Sequence, residues 1–244
     1  LMMNAKNFLL IAIFGSLLGT SIASLAAESP GYIAAPERRT TGIGKFYMDR
    51  EISFVMGHRA AGWLNRPTRI QEEMPDEVIK NMRLAPDHVV ADIGAGSGYF
   101  SFRIAKQVPD GKVLAVDIQP EMLQIIEARK TKEQVTNIEG VEGEIDDPNL
   151  AANAIDAAIM VDAYHEFSHP FEMIEGIYQA LRPGGRIFLL EYRGEDDSVP
   201  IRPLHKMTQK QVIKEMNVFG LQWTETLDFL PWQHMMIFTK VVED

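Results

Sequence analysis

From Pro75 onward, the spacing of apolar residues alternates between two periods, and each switch marks a new element. "PDEVIKNMRL" (75–84) places Val78, Ile79 and Met82 on one helical face, with proline at its start. "HVVADIG" is a short continuous apolar run, the mark of a buried strand, and "GYFSFRIAKQV" returns to helical spacing at Phe100, Ile104 and Val108. The same alternation repeats. "KVLAVDI" reads as strand, "PEMLQIIEARKTK" as helix with Pro120 in its first turn, and "TNIEGVEG" as a weaker strand. "AIDAAIMVDAY", "PFEMIEGIYQAL" and "GGRIFLLEYR" then give strand, helix and strand. Strands alternating with helices imply βαβ units and a mostly parallel sheet. The tail differs: "TQKQVIKEMNVFG" is a helix stopped by Gly220, and "LQWTETLDF" with "HMMIFTKVV" form a closing antiparallel hairpin.

Ahead of this pattern lie two other regions. Residues 1–26 carry Lys6, an apolar run from Phe8 to Leu18 and a small-residue stretch ending at Ala26, the layout of a secretory signal peptide. Export, to the periplasm, is the expectation, with a membrane tether if the segment stays attached. Residues 27–74 are punctuated by proline and glycine and read as an extended or short-helical lead-in, with "GWLNRPTR" able to lie over a ligand as a lid. The expected division is thus signal peptide 1–26, N-terminal extension 27–74 and one α/β domain over 75–244.

Composition narrows the chemistry. The net charge is −10, and Lys6 is the only charge in the leader, so the mature chain is more acidic still. Such a surface repels phosphate backbones, and no basic run offsets it, so no nucleic-acid partner is expected. The absence of cysteine excludes disulfides, thiolate metal ligands and a cysteine nucleophile.

The most informative stretch is "VVADIGAGSGYF". A strand ends, glycines 94, 96 and 98 make a turn, and a helix follows. Glycine serves where a backbone adopts positive φ or approaches a ligand closely. The dinucleotide fingerprint would need its last glycine at position 99, which is Tyr99, so an NAD(P)-dependent oxidoreductase is the second choice among enzymes. Together, "DIGAGSG", "VLAVDIQPEML" and "ALRPGGRIFLLEYR" resemble the class I S-adenosylmethionine-dependent methyltransferases over roughly residues 75–240.

The resemblance implies a Rossmann-like, doubly wound α/β fold with a mostly parallel seven-stranded sheet and a C-terminal antiparallel hairpin. It implies S-adenosylmethionine as cofactor and methyl transfer to a small-molecule acceptor. Asp92 would face the methionine amino group, with Gly94, Gly96 and Gly98 beneath the cofactor. Asp117, with Ile118 beside it, would take the ribose hydroxyls, since one carboxylate accepts two hydrogen bonds. Asp146 would reach the adenine amino group or, equally, favour a helix N-terminus. Asp162 would sit at the sheet edge where ligands bind. An exported binding protein that keeps the fold without turnover is an alternative, against which the retained glycines and both aspartates argue.

"HEFSH" (165–169) matches H-E-x-x-H, the zinc metalloprotease pattern. His165 follows a strand, however, and Pro170 disfavours helical geometry at His169, so the two histidines do not stand one turn apart. No metal site is expected. Under the resemblance this segment lines the methyl-transfer junction: Tyr164 against the sulfonium, with His165 or Glu166 accepting the acceptor's proton. Further polar candidates are Glu191, Tyr192, Arg193, His205 and Lys206, then Trp232 and His234, and finally Trp63, Arg66 and Arg69. Arg66, Arg69 and Arg193 together would suit an anionic acceptor.

Overall fold

A computed structural model describes residues 30–35, 37 and 41–241; the leader expected at 1–26 lies outside them. No helix among the described residues is long and apolar enough to cross a membrane.

The extension is more ordered than its punctuation suggests. Strands β1 (Tyr32–Ala34), β2 (Gly42–Tyr47) and β3 (Arg50–Ser53) form a small antiparallel sheet in that order. Tyr47 and Ile52 are fully buried in the same apolar cluster as Tyr164, Phe171 and Met216 of the main domain. Two short helices follow, α1 (Ala61–Leu64) and α2 (Arg69–Glu73). The lead-in is therefore a β-sheet packed on the domain, held by contacts distant in sequence rather than by local periodicity.

The elements read from the pattern all form. Helix α3 (Pro75–Met82) precedes β4 (Val89–Ile93), α4 (Ser101–Gln107), β5 (Lys112–Asp117), α5 (Pro120–Glu133) and β6 (Ile138–Glu142). The chain then crosses back for β7 (Ile155–Val161), α6 (Pro170–Ala180) and β8 (Leu181–Arg193). Two-residue β9 (Lys206–Met207), α7 (Gln209–Met216), β10 (Leu221–Leu227) and β11 (Gln233–Lys240) complete it. Proline opens α3, α5 and α6, where its missing N–H costs nothing, and Thr208 caps α7 by accepting from Gln211 N.

The main sheet runs β10-β11-β8-β7-β4-β5-β6, with β9 pairing on β8. β11 is antiparallel to both neighbours, and the other strand pairs are parallel. The seven strands of that order are the doubly wound arrangement expected, with a terminal hairpin, and two-residue β9 adds an eighth strand beside β8. Period-two side-chain alternation explains the near-continuous apolar strands. In β7, Ala157 and Ile159 enter one buried cluster while Ala158 and Met160 enter the other, so both faces are covered. Chain progression reverses between β4 and β7, which opens a crevice at their carboxyl ends.

Candidate active site

The crevice at that reversal is a cavity of about 660 Å³, within the range for small-molecule sites. Its floor is the loop after β4. Gly94 and Gly96 have φ of 72° and 56°, and a Cβ on Gly94 would lie 2.9 Å from Ala163 Cβ. Both glycines line the cavity, while Gly98 packs inward against Phe102 and Ile126.

Asp117, at the end of β5, is buried and lines the cavity. One carboxylate oxygen accepts from Gly96 N at 2.8 Å and the other from Gln119 N at 2.9 Å. The carboxylate thus ties the glycine loop to the next helix, and its remaining lone pairs are available to a ligand. Burial raises its pKa. Ile118 lines the cavity beside it.

Asp162 follows β7 in a left-handed conformation, φ 50°, uncommon for a non-glycine residue and placed at the sheet edge. Gln233 Nε2 donates to its Oδ2 at 2.7 Å, and its Oδ1 is buried with no protein partner. Burial, then Glu73 and Glu191, push its pKa well above the carboxylate range. Asp162 lines the glycine-floored cavity, and its Oδ1, out of solvent reach, is an unpaired buried acceptor that calls for a donor.

Three expected cofactor contacts are placed otherwise. Asp92 is buried beneath the loop and does not line the cavity; Ser101 Oγ donates to it at 2.5 Å. Its geometry supports the loop-to-α4 junction rather than a ligand. Asp146 is exposed and off the cavity wall, which Glu144 and Ile145 supply instead. Gly98, as above, gives the chain room to pack.

Asp92 carries a pH signature. Burial first, opposed by the Ser101 hydrogen bond, lifts its pKa to about 6. The folded state holds this proton above the pH at which the unfolded chain releases it. Its contribution is complete below about pH 4 and lost as pH rises through about 6. Asp92→Asn removes the titration. Between pH 4 and 7, wild type is expected to lose on the order of 3 kcal/mol relative to this variant, read by urea denaturation at each pH. Parallel curves would exclude a raised Asp92.

The "DAYHEFSHP" segment separates by side. Residues 164–166 form one 3-10 turn, and His169 is the non-helical residue before Pro170. Tyr164 turns away from the cavity into the core, fully buried, and donates to Glu215 Oε2 at 2.7 Å. A contact between Tyr164 and a sulfonium in the cavity is therefore corrected: neighbours on so tight a turn face different ways. His165 and Glu166 do line the cavity. His165 Nδ1 lies 2.6 Å from Glu191 Oε2, and its Nε2 lies 3.0 Å from His205 Nδ1. Burial lowers the His165 pKa, but the Glu191 carboxylate outweighs it and the net shift is upward. Burial, then His165, pushes His205 down to about 4. Burial raises Glu166.

Of the polar clusters, Tyr192 and His205 line the cavity; His234 is held between Asp228 and Glu195 instead. The three-arginine anion site does not assemble. Arg66 and Arg69 line the cavity but are ion-paired to Glu72 and Glu73, while Arg193 donates to backbone oxygens of Asp228, Leu230 and Pro231. The segment named as a possible lid contributes lining residues to the cavity, as do neighbours the sequence pattern did not single out. Trp63 and Leu64 line the cavity, and Val55 and Met56 join them. Met56 N donates to Glu166 Oε2 at 3.0 Å, His58 N donates to Gln119 Oε1 at 2.7 Å, and Gln119 Nε2 donates to Met56 O at 3.1 Å.

Comparisons with known proteins agree with this geometry. Residues 90–185 match the family described as a methyltransferase domain. An arsenite methyltransferase of Halobacterium salinarum is 32% identical over 105 residues, 43% of this chain and 27% of that protein. A demethylmenaquinone methyltransferase of Lactococcus lactis is 25% identical over 145 residues, 59% of this chain and 56% of that protein. The crystal structure of a SAM-dependent methyltransferase from Aquifex aeolicus superposes with a TM-score of 0.72 at 22% identity, covering 77% of this chain and 100% of that one. Residues 90–185 are thus similar to a methyltransferase domain, and the chain shares the fold of a SAM-dependent methyltransferase. It spans little more than half, or less, of the length of these two curated relatives.

Proposed function

We propose that the chain is an exported S-adenosylmethionine-dependent methyltransferase acting on a small-molecule acceptor by in-line transfer. The observation that carries this reading is the cavity itself, where the loop at Gly94 and Gly96, Asp117 and the orphaned Asp162 Oδ1 converge with His165 and Glu166. The small-molecule methyltransferases among its relatives support the acceptor class, and the leader pattern at 1–26 supports export.

S-Adenosylmethionine, when bound, supplies a methyl group on a sulfonium leaving group. The chain's own work is then alignment and exclusion of water. Asp117 receives the ribose hydroxyls, the glycine loop admits the backbone approach, and Asp162 Oδ1 accepts from the ligand's cationic end. Met56, Trp63 and Leu64 close the side that solvent would enter. His165, oriented by Glu191, and Glu166 present basic atoms to an acceptor that must lose a proton.

Purified protein is expected to gain several degrees in thermal midpoint with S-adenosylmethionine or its demethylated product, and none with NADH. Stabilisation by NADH alone would replace this reading with an oxidoreductase. Labelled methyl transfer into small-molecule fractions of a cell-envelope extract then identifies the acceptor.

A further inference from the structure

The H-E-x-x-H stretch contributes two of its members to a cluster that its own pattern does not describe. His165 Nε2, Glu166 Oε1 and His205 Nδ1 face one another at the cavity wall. Their separations are 3.0 Å between the two ring nitrogens, 3.7 Å from His205 to Glu166 and 3.9 Å from His165 to Glu166. Ligands at the bond lengths usual for zinc stand about 3.4 Å apart around a tetrahedral ion, so closing these three onto one cation needs movements of only tenths of an ångström. His169, the second histidine of the stretch, is outside the cluster and pairs with Ser168 Oγ at 3.0 Å.

Two of the three ligands are pre-aimed. Glu191 Oε2 sits 2.6 Å from His165 Nδ1, and Glu191 Oε1 accepts from His165 N at 3.2 Å. A carboxylate on the far nitrogen fixes the ring's orientation and turns Nε2 inward, as the outer shell of metal-bound histidines does. Glu166 Oε2 is held by Met56 N, which directs Oε1 at the histidines. Two imidazole nitrogens and a carboxylate facing one point share a proton or take a cation between them.

We propose that His165, Glu166 and His205 form a binding site for a divalent transition-metal ion of the zinc type. Two imidazoles and one carboxylate leave further coordination positions open, as in catalytic sites. These open toward the cavity and take an acceptor through a hydroxyl or other oxygen donor, and the ion would then lower that donor's pKa in place of proton acceptance by His165 and Glu166. That last role rests on the methyl-transfer reading, whereas the ion site stands on its own geometry.

The test uses the untagged full chain, stripped with chelator, titrated with Zn²⁺ by calorimetry and with Co²⁺ by visible absorption. One equivalent of Zn²⁺ should bind, and Co²⁺ should give the ligand-field spectrum of mixed nitrogen and oxygen ligation. His205→Ala should weaken Zn²⁺ binding at least 100-fold, Glu191→Gln about 10- to 100-fold through loss of orientation, and His169→Ala not at all. Wild type binding Zn²⁺ no better than His205→Ala, with no Co²⁺ spectrum, would overturn the site and leave a proton-sharing histidine pair only. The Co²⁺ spectrum of wild type keeps the test independent of how any variant folds. Thermal shift with S-adenosylmethionine on the same samples separates the two ideas. Cofactor binding without metal binding sinks the ion site alone, and metal binding without cofactor binding sinks the methyltransferase reading alone.

Discussion

Replacing Asp117 with asparagine is expected to raise the dissociation constant for S-adenosylmethionine by on the order of 10²- to 10⁴-fold. Two charge-assisted hydrogen bonds to the ribose hydroxyls, at about 1.5–3 kcal/mol each, set that range. The substitution keeps the volume but replaces one acceptor oxygen with an NH₂ group. That group must then face Gly96 N, Gln119 N or the ligand, all of which donate or need an acceptor. Calorimetry with the demethylated product avoids turnover during the measurement. A change below about threefold in protein that keeps its circular dichroism spectrum would remove Asp117 from the cofactor site.

The second large effect is on stability. Arg50 of β3 donates to both oxygens of Glu215 on α7, at 2.7 and 2.9 Å, and Glu215 is fully buried. Tyr164 and Gln211 donate to the same carboxylate. Removing one partner of such a pair strands the other charge out of water, at about 3–5 kcal/mol. Glu215→Ala is therefore expected to lower the thermal midpoint by about 6–20 °C. Glu133→Ala, which breaks the exposed pair with Arg129 on α5, should cost under about 1 kcal/mol. Equal effects in the two variants would mean that the buried pair does not hold the extension to the domain.

How much of this was legible beforehand depended on range. The strands from β4 onward, two-residue β9 apart, and helices α3 to α7 announce themselves through local period, because each buries a face set by spacing alone. β1–β3 do not. Gly42 and Gly44 interrupt the alternation of β2, and Tyr47 and Ile52 belong to the core through a cluster they share with Phe171 of α6 and Met216 of α7. Within the site, Asp117 and Asp162 follow from standing at strand ends on the crevice side. Tyr164 and His165 could not be told apart without the 3-10 turn that sends one inward and the other to the cavity. The meeting of His165 with His205, forty residues on, is a product of β8 and the connection after it. Sequence density of polar residues marked that connection but not which of its members turns in.

The clasp at Met56, His58 and Gln119 sets the terms of traffic through the cavity. Three hydrogen bonds at about 1 kcal/mol each hold that edge, a small fraction of what unfolding the domain would require. Breaking these bonds would be a local event that leaves the sheet beneath intact. One of the three bonds falls on Glu166, so the carboxylate proposed to face the acceptor is also part of the clasp. On the proposed methyl-transfer reading, exchange of spent cofactor and exposure of the acceptor pocket would be a single motion, with turnover timed by that segment instead of by the bond that is made.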